Sequence, residues 1–184
     1  MSQFDLAMGR ALSNELGESP ITVRSLAWRG YDAKGKKPSA LAGFDPADDD
    51  GNGVVPALDA ERLGDPSLVK AYRDEWWDRY RYGQLDPQPV GDKMLATAVQ
   101  ISAPNANRCM QRALVAHGRE IKVDGNLSQE TMKAIRYVCA KHTFIPLLAT
   151  LRAEIAAFHR EIVALNPKLA KHLPLWLQRS YAAV

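Results

Sequence analysis

The sequence predicts a single, mainly α-helical domain, and three observations lead to this prediction. The chain has 184 residues, 46% of them hydrophobic, which is enough to bury a core within one domain. From residue 65 onward, apolar side chains recur at spacings of three and four, the periodicity of an α-helix. Glycine and proline interrupt this pattern mainly over residues 19–64, where we expect an irregular loop region that holds a short strand or β-hairpin at 21–28.

Five helices are predicted after this loop region. They span residues 65–82, 90–102, 105–117, 128–142 and about 144–166. Ser128 is a suitable N-cap for the fourth of these helices. The pair Asp124-Gly125 predicts a turn between the third and the fourth.

The helix over residues 144–166 is predicted to be the longest. Its apolar residues repeat at spacings of four and three from Phe144 to Leu165, and Pro167 ends it. At the usual helical rise this helix would be roughly 33 Å long, so we expect it to form the central strut of the domain. Trp176 and Leu177 are expected to anchor the remaining chain.

Another helix is predicted over residues 3–18 and ends in a carboxylate. Phe4, Met8, Ala11 and Glu15 follow at spacings of four, three and four, and Gly17 ends the helix. Burial and the negative end of the helix dipole would both disfavour an ionised Glu15, which makes it a candidate general acid of a glycosidase. A solvated carboxylate at the edge of the stripe is the alternative interpretation.

The loop region contains the run DDDGNGVVPALD, which matches the register of a calcium-binding loop. Oxygen-bearing side chains at Asp48, Asp50, Asn52 and Asp59 surround a glycine turn at Gly53, so these four residues are candidate ligands of a structural Ca²⁺. The alternatives are an acidic, glycine-rich surface turn, or a loop whose acids supply a second catalytic carboxylate.

The predicted helix 65–82 carries an aromatic stripe. Val69, Tyr72, Trp76 and Tyr80 share one face, which is typical of a helix packed on a core. Trp77 lies about 100° around the helix from Trp76. If Trp77 points away from the core, its ring is a candidate for stacking on sugar, so we expect it to contact a glycan.

Composition excludes several classes of protein. Lysine and arginine exceed aspartate and glutamate by only 24 to 21, which predicts no nucleic-acid partner but suits approach to an anionic polymer such as a bacterial wall. Cys109 and Cys139 are too few for a disulfide framework, although they could pair if their helices are neighbours. The four histidines form no zinc-binding motif.

No signal peptide and no membrane helix are predicted. The N-terminus lacks a basic start followed by an apolar run, and no stretch approaches the ~20 apolar residues of a membrane span. We therefore expect the protein to be made in the cytoplasm, without membrane insertion, and to be carried or released if its target lies outside.

Five stretches occur in an order and spacing that are similar to those of a known family. Glu15-Leu16-Gly17-Glu18 is similar to its EGGY, Trp76-Trp77-Asp78 to its YWD, and Leu175 to Arg179 to its GWxxR. The stretch from Ala98 to Pro104, with Met110-Gln111, is similar to AVNxGPxxAxxxLQ, and Asp124 to Thr131 to DGxxGxxT. Over most of its length outside roughly 19–60, the chain resembles glycoside hydrolase family 108, the N-acetylmuramidases with a C-terminal peptidoglycan-binding segment.

The resemblance implies a lysozyme-like fold and hydrolysis of the β-1,4 bond after N-acetylmuramic acid in peptidoglycan. Residues 1–85 would be the catalytic part, with Glu15 as the acid, and residues 86–184 a helical, peptidoglycan-binding-like part packed on it. Gln100, which replaces the Asn of the AVN motif, and Trp77 would contact substrate. The chemistry would require no cofactor, so the calcium ion would be structural.

The biological setting implied is an endolysin, a secretion-associated muramidase or an antibacterial effector that acts in the periplasm or on the wall. A holin, a secretion component or an immunity protein would be the protein partner. The second Gly and the Tyr of EGGY are missing here, and the second catalytic group is unassigned. The alternative is therefore a catalytically inactive protein that keeps the fold and binds peptidoglycan.

Overall fold

The structure, a computed structural model, describes Phe4 and residues 73–182, and these residues are mainly α-helical, as predicted. Within this part of the chain no strand occurs. The helices are α1 (Gln88–Ile101), α2 (Ala103–Ala116), α3 (Gln129–His142), α4 (Ile145–Leu165) and α5 (Leu173–Tyr181). Shorter pieces are a π-helical turn at Arg73–Asp78 and 3₁₀ turns at Tyr82–Gln84 and Pro167–His172.

The bounds of α1 to α4 agree with the predicted helices to within two residues. Local sequence explains why they begin and end there. Ser128 caps α3, because its Oγ accepts a hydrogen bond from the backbone N–H of Thr131 at 3.2 Å. Proline occupies the first turn of α1, α2, α4 and α5, where the missing N–H costs no helical hydrogen bond.

Helix α1 is enclosed on all sides, since every residue from 90 to 98 is buried. Small residues allow this close packing. A Cβ atom at Gly91 would lie only 2.8 Å from the carbonyl oxygen of Tyr82, so this contact requires glycine.

Helix α4 has 21 residues and packs against both α2 and α5. Its predicted apolar stripe is buried at Leu148, Leu151 and Ile155. The stripe becomes exposed toward the C-terminal end of the helix, where Leu165 is 88% exposed. The longest helix therefore contributes to the core mainly through its first three turns.

The predicted α-helix over residues 65–82 needs correction in the part that the structure describes. Residues 73–78 form a π-helical turn, and Arg81 then has φ 59°, in the left-handed region. A π-helix has a longer repeat than an α-helix, so the side chains that share a face differ from those predicted at 3.6 residues per turn. Residues 65–72, with Val69 and Tyr72, lie outside the described residues.

Cys109 is buried in α2 and Cys139 is half-buried in α3, and both are free thiols. Burial raises the pKa of the Cys109 thiol to about 12, which keeps it protonated and unreactive. Among the described helices, none is long and apolar enough to cross a membrane.

Candidate functional site

The turn at Asp124–Asn126 is held in place by side chains of α2. The backbone N–H of Gly125 donates to Oε1 of Gln111 at 2.8 Å. Nε2 of Gln111 donates to the Asp124 carboxylate and to the Asn126 carbonyl, each at 2.9 Å. Asn107, one helical turn before Gln111, donates through Nδ2 to the Gly125 carbonyl at 3.0 Å. The two amides therefore satisfy the backbone on both sides of the glycine.

Glycine is required at position 125 for two reasons. Its φ is +83°, a conformation that L-amino acids with a side chain rarely adopt. A Cβ atom would also lie 2.8 Å from the carbonyl oxygen of Pro104 at the start of α2. The predicted Asp124-Gly125 turn is thus confirmed, and its close approach to α2 explains the glycine.

Tyr82 connects this turn to the segment that precedes α1. The hydroxyl of this fully buried residue donates to Oδ1 of Asn107 at 3.2 Å. Burial raises the pKa of Tyr82 far above its ordinary value, so the phenol stays a hydrogen-bond donor. Residues from before α1, from α2 and from the turn therefore belong to one polar network.

Asp124 presents an ionised carboxylate at the exposed side of this turn. The hydrogen bond from Gln111 lowers the pKa of Asp124, and a hydrogen bond from the backbone of Asn126 and the charge of Lys122 act in the same direction. The Asn126 N–H donates to Asp124 Oδ1 at 2.8 Å, which shapes the chain just before the Ser128 cap of α3. We call the unit formed by Asn107, Gln111, residues 124–126, Ser128 and Thr131 the clamped turn.

Trp77 lies in the core, which corrects the prediction that it contacts glycan. Its side chain is 6% exposed, and its ring meets the ring of Phe4 edge-on with centroids 5.8 Å apart. A Cβ atom at Gly83 would lie 2.7 Å from Nε1 of Trp77, so the indole packs directly on this glycine. Trp76, predicted to be the core member of the pair, is half-buried. The π-helical turn explains the exchange, because it changes which side chains face inward.

Gln100 is half-buried near the C-terminal end of α1, and its predicted contact with substrate stays a prediction. The candidate acid Glu15 and the candidate calcium ligands lie outside the described residues, namely Asp48, Asp50, Asn52 and Asp59. Across Phe4 and residues 73–182, no group of three or more His, Cys, Asp or Glu side chains is placed to hold a metal ion.

Lys93 is a buried charged residue that sequence patterns did not single out. It is 4% exposed, and its Nζ donates to the carbonyl oxygens of Arg179 at 3.1 Å and Ala182 at 3.3 Å. Burial, followed by the nearby charge of Arg152, lowers the pKa of Lys93 to about 8. Lys93 thereby ties α1 to the C-terminal end of α5. The available signal was its position directly before the apolar run Met94-Leu95-Ala96.

His159 is a second such residue, buried between α4 and α5. It is 4% exposed and stacks on Trp176 with ring centroids 5.1 Å apart, while His172 stacks on Trp176 at 5.6 Å. Neither ring nitrogen of His159 has a hydrogen-bond partner among the described residues. Burial lowers its pKa to about 4, so the ring is neutral at pH 7. Its spacing of four from Ile155 on the apolar stripe of α4 was the sequence signal.

In comparisons with protein-family models and with curated protein sequences, nothing matches this chain. The family resemblance therefore rests on the motif residues of the sequence alone.

Proposed function

We propose that this protein is a peptidoglycan hydrolase of the N-acetylmuramidase type, in which residues 86–184 bind the wall. The observation that carries the proposal is the clamped turn. Gln111, from the motif similar to AVNxGPxxAxxxLQ, binds Asp124 and Gly125, which open the motif similar to DGxxGxxT. Thr131, at the end of that motif, donates its N–H to Ser128. Residues of the two motifs that lie 13 and 14 positions apart in sequence are thus hydrogen-bonded to each other.

Glu15 is the proposed general acid that protonates the leaving oxygen of the β-1,4 bond. Support comes from its place at the end of the apolar stripe and from its match to the first residue of EGGY. Phe4, the first member of that stripe, is helical and buried against Trp77. The acidic run at residues 45–50 is the proposed source of the second carboxylate.

The lysozyme-like arrangement of the whole chain is part of the same proposal, with residues 1–85 as the catalytic part. Peptidoglycan is the proposed substrate, reached after release or secretion from the cytoplasm as an endolysin, a secretion-associated muramidase or an effector. The proposed chemistry needs no cofactor, and the calcium ion at Asp48, Asp50, Asn52 and Asp59 is proposed to order the loop beside Glu15.

The test is release of muropeptides from purified sacculi by the wild type and by Glu15→Gln. The amide keeps the shape of the side chain but has no acidic proton, so we expect turnover to fall about 10²–10⁴-fold with an unchanged melting temperature. Glu18→Gln, three residues along the chain, is the matched control and should keep wild-type turnover. An active Glu15→Gln variant would refute the assignment of the acid.

A second candidate function is wall binding without catalysis. It is favoured by the location of the clamped turn, which lies wholly within residues 86–184, and by the burial of Trp77 in the core instead of on a glycan surface. Sedimentation of the wild type with sacculi, without release of soluble fragments that carry reducing muramic ends, would select this function over hydrolysis.

A further inference from the structure

We propose that the exposed face of α3 around Tyr137, together with Arg119, binds the carboxylate groups of peptidoglycan. This inference rests on the proposed function and names the surface through which the helical part would contact the wall. We call this surface the α3 basic face, and it consists of Arg119, Lys133, Arg136, Tyr137 and Lys141.

The geometry of α3 places three of these residues in one row. Lys133, Tyr137 and Lys141 follow at spacings of four, which puts their side chains on one side of an α-helix. All three are exposed, and Tyr137 is 50% exposed although it is a large aromatic residue. The row extends over roughly 12 Å of helix, a length that suits a repeating polymer better than a single small anion.

Arg119 joins this row from the connection between α2 and α3. Its guanidinium carbon lies 4.4 Å from the centroid of the Tyr137 ring, and Nζ of Lys141 lies 6.0 Å from the same centroid. Both distances are within the range of cation–π attraction. Two cations therefore lie near one exposed ring, and Arg136, the residue before Tyr137, is an exposed third cation of this helix.

The cations of this face have no carboxylate partner within the part of the chain that the structure describes. Arg112, by contrast, pairs with Glu161 at 3.7 Å, and no such pair involves Arg119, Lys133, Arg136 or Lys141. Glu130 is the acid on the same side of α3, and it lies in the first turn, about two turns away from Tyr137. The centre of the α3 basic face is thus positive and available to an anion from outside.

Peptidoglycan is the anionic polymer that fits the other observations. Carboxylates of its stem peptides recur along the strand, and its sugar rings offer apolar faces to a half-exposed tyrosine. Lys133, the first α3 residue of this face, lies two residues after Thr131 of the clamped turn, so the clamped turn fixes the start of the helix that carries these cations.

The experiment measures co-sedimentation of the full chain with purified sacculi. The test variant is Lys133→Gln/Lys141→Gln, and the matched control is Lys168→Gln/Lys171→Gln, which removes two exposed lysines from the 3₁₀ turn before α5. We expect the test variant to bind about tenfold more weakly, because it loses two exposed charge contacts, and the control to bind like the wild type. Thermal melts of both variants check that the fold is retained.

A second pair of variants tests the aromatic residue. Tyr137→Ala should weaken binding, whereas Tyr181→Ala, at a tyrosine that is also 50% exposed, should not. Sacculi whose carboxylates have been converted to amides should bind the wild type as weakly as untreated sacculi bind the lysine test variant. These results together would support a carboxylate-binding face.

Three outcomes would overturn the inference. If the wild type and both lysine variants sediment equally with sacculi, the α3 basic face does not bind peptidoglycan, while the proposed function stands. If the test variant loses binding to heparin or DNA but keeps binding to sacculi, the face serves another polyanion. If the wild type neither sediments with sacculi nor releases muropeptides, the proposed function fails first, and the inference falls with it.

Discussion

Gly125 donates its backbone N–H to Oε1 of Gln111 at 2.8 Å, across 14 residues of sequence. Gly125 is buried, so its N–H has no access to water as a substitute partner. The same Gln111 side chain donates to the residues on both sides of the glycine. One amide therefore fixes the conformation of the turn that leads into α3.

Gln111→Leu should lower the free energy of unfolding by about 3 kcal/mol. The buried N–H of Gly125 loses its acceptor, and the Asp124 carboxylate and the Asn126 carbonyl lose their donor. Denaturant unfolding followed by circular dichroism measures this change. Gln178→Leu, at an exposed position of α5, is the control and should change stability by less than about 0.5 kcal/mol. Equal midpoints for Gln111→Leu and wild type would contradict a stabilising role for the amide.

Trp77→Ala should lower the free energy of unfolding by about 3–5 kcal/mol, because a large buried ring leaves a cavity against Phe4 and Gly83. Trp76→Ala, at a half-buried indole, should lower the free energy of unfolding by less than Trp77→Ala does. Binding to sacculi, expressed per folded molecule, should be unchanged by Trp77→Ala. A variant with wild-type stability but weak binding would return Trp77 to the glycan surface.

The stability of the protein should fall between pH 6.5 and pH 4 because of His159. Burial lowers its pKa from 6.5 to about 4, so in this window the unfolded chain binds a proton that the folded protein does not. At about 1.36 kcal/mol per pKa unit, the loss amounts to about 3 kcal/mol once the pH is below both values.

His159→Phe should remove this loss, and the difference between variant and wild type isolates it from the titration of carboxylates. Denaturant midpoints at pH 7, 5.5 and 4 would show the effect. His172→Phe, at the other histidine that stacks on Trp176, should leave the pH dependence of the wild type in place. Parallel pH profiles for wild type and His159→Phe would show that His159 does not carry the effect.

Calcium should raise the melting temperature if Asp48, Asp50, Asn52 and Asp59 bind the ion, because a ligand of the folded state alone stabilises it by mass action. Melts in chelator, in millimolar calcium and in magnesium provide the comparison. Asp48→Asn should abolish the response, while Asp45→Asn, outside the register of the loop, should retain it. Identical melting temperatures in all three solutions would show that the loop is a solvated turn.

The helical part of the fold follows from local sequence to a large extent. Helices α1 to α4 were predictable because their apolar spacing, the Ser128 cap and the prolines at their first turns are all local signals. The turn at Gly125 was predictable for the same reason. The π-helical turn at residues 73–78 was not, because a spacing rule based on 3.6 residues per turn assigned Trp76 to the core and left Trp77 uncertain.

The candidate site was less accessible to sequence reasoning than the fold. The residue types at 107, 111 and 125 are visible in the sequence, but their meeting depends on how α2 packs over the turn. Amphipathic patterning assigns lysine and histidine to the surface, yet Lys93 and His159 are buried because neighbouring helices cover them. The predicted acid, Glu15, lies outside the described residues, so its role remains a proposal.

The hydrogen bond from Lys93 to the Arg179 carbonyl spans 86 residues of sequence and bears on how this region folds. During synthesis from the N-terminus, α1 emerges well before α5, so its lysine must stay hydrated until the last helix has been made. Contacts between distant positions slow folding, because a long loop must close before they form. We therefore expect a ribosome-bound chain that stops before residue 173 to leave α1 incompletely enclosed, and the region to acquire its full protease resistance only after α5 is released.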